Sequence, residues 1–117
     1  MGLALLVRDR NGAEVYAERI ASYLSFHEFR LAWARLLGFD LNLMEGFGGS
    51  KLWKDEPLQP FFNHSDCEDA ISWRDAQAIL QQAKKDAPQL PEFNRQFRVL
   101  TAACEAAVEH RTPIIFC

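Results

Sequence analysis

A chain of 117 residues with 49% hydrophobic and 25% charged positions is one domain, 1–117, with material for a single core; a disordered chain is excluded. Thirteen Lys and Arg against sixteen Asp and Glu give a net charge of −3 and a pI near 5.6. That balance argues against a nucleic-acid partner, which calls for a basic face, and no apolar run approaches the roughly 18 residues of a membrane span.

Met1 to Arg8 is apolar but too short for a signal peptide and lacks its basic leader, so no targeting segment is expected. Leu6 breaks the myristoylation pattern, and Cys117 stands at the wrong place for a prenylation box. Three cysteines at 67, 104 and 117, an odd and scattered set, fit reduced thiols in a cytoplasmic protein.

Leu3 to Val7 is a continuous apolar run, as in a strand buried on both faces. Asp9-Arg10-Asn11-Gly12 then gives a hairpin signal, since Asn and Gly both tolerate positive φ. Ala13 to Ile20 is the returning strand, with Val15 and Ala17 on one face and Glu14, Tyr16 and Glu18 on the other. Ser25-Phe26-His27-Glu28 has the form of a capping box. Phe26, Phe29, Trp33, Leu36 and Leu37 recur at helical spacing behind it, and Gly38 stands where a helix-ending glycine belongs, so a helix is expected from Phe26 to Leu37.

From Phe39 to about Ile71 no period holds. Gly46, Gly48, Gly49, Pro57 and Pro60 punctuate a connection studded with Phe47, Trp53, Phe61 and Phe62, and rings of that number call for docking, so an ordered irregular excursion is expected. Ser72-Trp73-Arg74-Asp75 caps a second helix that ends near Asp86, before Pro88. Leu90-Pro91 opens a third, with Phe93, Phe97, Leu100, Cys104, Ala107 and Val108 on one face. Arg111-Thr112-Pro113 breaks it, and Ile114 to Cys117 is a short closing strand. The fold class is therefore α+β: a small sheet of the N-terminal hairpin and the C-terminal strand, packed against three helices, with a long irregular acidic loop.

The densest chemistry lies at Asn63-His64-Ser65-Asp66-Cys67-Glu68-Asp69. As a metal site, with His27, Cys104, His110 or Cys117 completing it, the segment lacks every familiar ligand spacing, so no metal and no cofactor are expected. As a nucleophile site it places carboxylates beside Cys67 that raise a thiol pKa instead of lowering it. Asn63, His64, Ser65, Asp66 and Cys67 are therefore taken as a structural motif whose side chains bond nearby backbone. An orphan enzyme or metal protein using His64, Asp66 and Cys67 is the alternative. Glu45-Gly46-Phe47-Gly48-Gly49-Ser50-Lys51 has Gly-Ser-Lys where a phosphate-binding loop has Gly-Lys-Ser or Gly-Lys-Thr. It is taken as a turn.

Charge distribution carries the functional expectation. Between Phe39 and Ser72 seven acids face two lysines, a net of −5, while the remainder holds nine acids and eleven bases, or +2. Acidic groups around aromatic anchors describe a surface for a basic protein, in which charge steers the encounter and buried rings supply affinity. Trp53, Asp55, Glu56, Asp66, Glu68 and Asp69 are the expected partner-binding residues. Arg95 and Arg98 on the third helix are weaker candidates for a nucleic-acid contact, because Glu105 and Glu109 share its polar side.

Met1-Gly2-Leu3, Tyr23-Leu24-Ser25-Phe26-His27-Glu28-Phe29-Arg30, Gly46-Phe47-Gly48-Gly49, Asn63-His64-Ser65-Asp66-Cys67 and Phe116-Cys117 together resemble a group of small, poorly characterised bacterial proteins. In that group the central segment continues Asp-Gly where this chain has Glu68-Asp69. The resemblance implies a bacterial cytoplasmic origin and carries no activity with it. In size and charge the chain is similar to immunity proteins that neutralise basic toxins such as nucleases, without enzymatic chemistry of their own.

Overall fold

The computed structural model describes residues 2–44, 49, 61 and 69–116, with only the backbone of Tyr23 and Asp69. Four antiparallel strands form one sheet in the order β2-β1-β4-β3: β1 (Gly2–Arg8), β2 (Glu14–Ser22), β3 (Asp69–Ile71) and β4 (Ile114–Phe116). Among the described residues three full helices accompany it: α1 (Tyr23–Leu36), α2 (Trp73–Asp86) and α3 (Asn94–His110). The expected α+β architecture is the observed one, with one strand added.

β1 is a central strand. Its alternate residues Leu3, Leu5 and Val7 are fully buried, whereas Ala4 and Leu6 on the other face are half-buried. The apolar run thus forms a strand covered completely on one face only. β4 pairs with it (Leu5 opposite Phe116, Val7 opposite Ile114), and β3 pairs with β4 (Asp69 opposite Phe116, Ile71 opposite Ile114). The inward side chains of all four strands, including Ile20, Ile71, Ile114 and Phe116, meet α1 and α3 in one core. α3 packs on β1 and β2, and α2 lies against α3.

The hairpin turn differs from the expected Asn-Gly pair at positive φ. Only Gly12 takes it, at +86°, while Gly12 N–H donates to the Asp9 carbonyl (3.0 Å) and Asp9 N–H to that of Ala13 (2.8 Å). The Asp9 side chain explains the choice: its Oδ1 accepts from the Asn11 and Ala13 amides, each at 2.9 Å, and so stabilises a three-residue loop.

α1 begins three residues before its expected start. Pairing of β1 with β2 runs on until Ser22 stands opposite Gly2, so the strand passes into the helix with no connecting loop. Ser22, still extended, is the N-cap, and its hydroxyl accepts from Ser25 N–H at 3.1 Å. Ser25 therefore lies inside the first turn and does not cap. At the other end Gly38, at φ +100°, donates to the Arg35 carbonyl, and Phe39 N–H reaches that of Ala34. This is the Schellman arrangement expected of a glycine at that place.

α2 is capped by Ser72, whose hydroxyl accepts from Asp75 N–H at 3.2 Å, and ends at Asp86, both as expected. Pro91 opens a single 3-10 turn to Phe93, and α3 proper starts at Asn94. α3 ends as α1 does, with Thr112 N–H bonded to the Ala107 carbonyl, but the left-handed residue is Arg111 at φ 55° and ψ 46°. Thr112 then ties this end to β1 by donating its hydroxyl to the Arg8 carbonyl at 2.5 Å.

The position of the α1 cap is directly testable. Ser22→Ala is expected to lower unfolding stability by about 1 kcal/mol in denaturant melts, with Ser25→Ala costing less than half as much. A larger loss at Ser25 would place the cap there.

Candidate functional site

Of the acidic stretch, residues 39–44, 49, 61 and 69–72 are described. A short 3-10 turn, Leu41–Leu43, is capped by the Asp40 carboxylate on Asn42 N–H at 3.0 Å, and Leu41 within it and Met44 after it are fully buried. Gly49 N–H donates to the Met44 carbonyl at 3.3 Å. A side chain at Gly49 would collide with the Leu43 carbonyl group, so this close backbone approach requires glycine.

Phe61 supplies a further attachment. It is fully buried, with its ring centre 5.2 Å from that of Trp33, 5.9 Å from Phe26 and 6.2 Å from Phe29. Each such tilted or edge contact contributes on the order of 1 kcal/mol beyond area burial. At the far end, β3 fixes Asp69 opposite Phe116 and buries Ile71. A segment expected to lack regular structure thus carries a 3-10 turn, a bridge and a strand.

Of the residues expected to meet a partner, Trp53, Asp55, Glu56, Asp66 and Glu68 lie outside the described residues. So do Asn63, His64, Ser65 and Cys67 of the structural motif. Asp69 opens the edge strand β3.

The chemistry-bearing groups elsewhere are mostly committed to structure. Among the described residues no three His, Cys, Asp or Glu side chains converge on a common point. Cys104 is fully buried on α3, and burial, with Glu105 nearby, pushes its thiol up to about 12. Asp86, 3% exposed, accepts at one oxygen from the Trp33 indole N–H and the Gln82 amide, both at 2.8 Å, and so bolts α1 to the end of α2. Arg30 is buried with its guanidinium 4.7 Å from the Phe26 ring centre. Arg95 donates to the Arg19 carbonyl at 2.8 Å and stands 3.9 Å from Glu18, which binds α3 to the hairpin.

A second charged region was not singled out by sequence. Arg74 and Arg111 both lie against the half-buried Trp73, their guanidinium carbons 5.2 and 5.9 Å from its ring centre. Beside Arg111 an open cleft of about 580 Å³ is lined by Asp9, Arg10, Asn11, Glu109, His110 and Arg111. The available signal was Arg111 itself, a bulky residue at a helix end where Gly38 closes the other. No family model, curated protein or solved structure matches the chain. Among the described residues no helix is long and apolar enough to cross a membrane.

The Cys104 environment has two measurable consequences. A neutral thiol in the folded state that ionises when unfolded withdraws stability as pH rises from the ordinary value of 9 toward about 12, because the unfolded chain then binds fewer protons. In a Cys67→Ser/Cys117→Ser variant, a thiol reagent at pH 8 is expected to label nothing until denaturant is added. Rapid stoichiometric labelling of the folded variant would contradict the burial.

Proposed function

We propose that the chain is a non-enzymatic protein-binding module of the immunity type: a bacterial cytoplasmic protein that neutralises a basic toxin, such as a nuclease, by covering its active site. The contact residues in this reading are Asp55, Glu56, Asp66, Glu68 and Asp69, with Trp53 as the aromatic anchor. One observation carries it: a segment of net charge −5 is attached to a body of net charge +2 at Met44, Phe61 and β3. Phe61 and Ile71, on either side of Asp66 and Glu68 in the sequence, are both buried in the core.

Charge of one sign gathered on one segment accelerates encounter with an oppositely charged protein and makes the rate salt-dependent. A toxin that cleaves nucleic acid carries the matching positive cleft. The chemistry that such a role asks of the inhibitor is steric and electrostatic alone, in keeping with the structural commitments of Cys104, Asp86 and Arg95.

The test uses the product of the gene adjacent to this one as the candidate partner. Reversing Glu56, Glu68 and Asp69 to Lys together is expected to weaken binding at least a hundredfold, since each desolvated charge is worth about 2–5 kcal/mol, and to flatten its salt dependence. Unchanged affinity and unchanged salt slope would overturn the proposal. So would a stoichiometric metal in the purified protein that is lost in His64→Ala.

A further inference from the structure

We propose that Arg74 and Arg111, held against the Trp73 indole, form with the adjoining cleft a binding site for a phosphate monoester. The inference does not depend on the function proposed for the acidic segment.

Two guanidinium groups on one ring repel each other, so their pairing stands out. Both carbons lie within 6 Å of the same ring centre, at 5.2 and 5.9 Å, which puts them within about 11 Å of one another. Both residues are exposed. Among the described residues neither has a carboxylate within ion-pair distance. An indole face attracts cations but leaves their N–H donors directed outward, so the ring presents the forks without consuming them.

The backbone at Arg111 carries the second argument. α1 and α3 close with the same left-handed residue, Gly38 in one case and Arg111 in the other. A side chain in that conformation is disfavoured by roughly 1–2 kcal/mol, and the chain nevertheless keeps an arginine there. Arg111 both approaches the Trp73 ring and lines the cleft.

The cleft decides what else the ligand contains. Besides Arg111 it is lined by Asp9, Arg10, Asn11, Glu109 and His110, all polar or charged. Asp9 already accepts two backbone N–H groups. With Arg111 engaged at the phosphate, this lining of donors and acceptors suits a polar, hydroxyl-bearing group better than a second anion. At about 580 Å³ it is large enough for a small molecule. The dianion belongs to Arg74 and Arg111, whose planar forks match phosphate oxygens bidentately, and the organic part belongs to the cleft.

The test is a titration of the intact protein at low ionic strength, followed by NMR at the Trp73 indole and by calorimetry. The probes are inorganic phosphate, a hexose 6-phosphate and a nucleoside 5′-monophosphate. Saturable shifts are expected at Trp73 and Arg111, with the monoesters binding more tightly than inorganic phosphate; the better monoester identifies the organic part. Arg74→Gln and Arg111→Gln are each expected to weaken binding about tenfold or more. Arg111→Gly, which suits the left-handed backbone and should remain folded, is expected to lose binding to the same extent. The proposal is overturned if no probe gives saturable shifts, if chloride at equal ionic strength reproduces them, or if Arg111→Gly binds as the wild type does. Equal affinity for inorganic phosphate and both monoesters would remove the cleft from the site.

Discussion

The ring contacts made by one face of α1 hold the separate parts of this fold together. Phe29 and Trp33, one turn apart, stack at 5.7 Å, and both meet Phe97 of α3 edge-on, at 4.9 and 5.1 Å. Phe29 also touches Phe93, and Phe26 touches Phe116 of β4 at 6.1 Å. Phe61 inserts from the acidic stretch into the same group. One helical stripe thus joins the sheet, the third helix and the excursion, and the Trp33 indole adds the second helix through Asp86. Truncating a ring in such a group costs about 3–5 kcal/mol, a large share of the stability of a domain this size.

The elements legible in the sequence are those whose signal is local. Ser72 with Asp75, Gly38 behind a helical stripe, and the apolar run of β1 each state their structure within a few residues. Ser22 and Ser25 show where locality fails. Both are serines ahead of an amphipathic run, and the choice falls to Ser22 because strand pairing with Gly2, twenty residues earlier in the chain, fixes where extended structure stops. β3 is three residues long, too short for a period, and exists because β4 offers it an edge. Phe61 is one aromatic among several in an aperiodic stretch, and its partners are distant in sequence.

For the site, what the sequence conveyed was charge. The division into a −5 segment and a +2 body needs only a count. Where that segment is fastened does not follow from composition. It emerges from the buried pair Leu41 and Met44, the glycine required at Gly49, the docking of Phe61 and the pairing of Asp69 with Phe116. The cationic region went unread because Trp73 and Arg74 open α2 while Arg111 ends α3, 37 residues on, and only the fold brings them together.

The central claim is that Phe61 fastens the acidic stretch to the aromatic core. Amide hydrogen exchange on wild type and Phe61→Ala, both under conditions where each remains folded, addresses it most directly. The account predicts that protection falls locally at Gly49 and through β3, at Ala70 and Ile71, while β1 and β2 keep theirs relative to the global stability of each protein. Protection at Gly49 and β3 that changes only in step with β1 and β2 would contradict it.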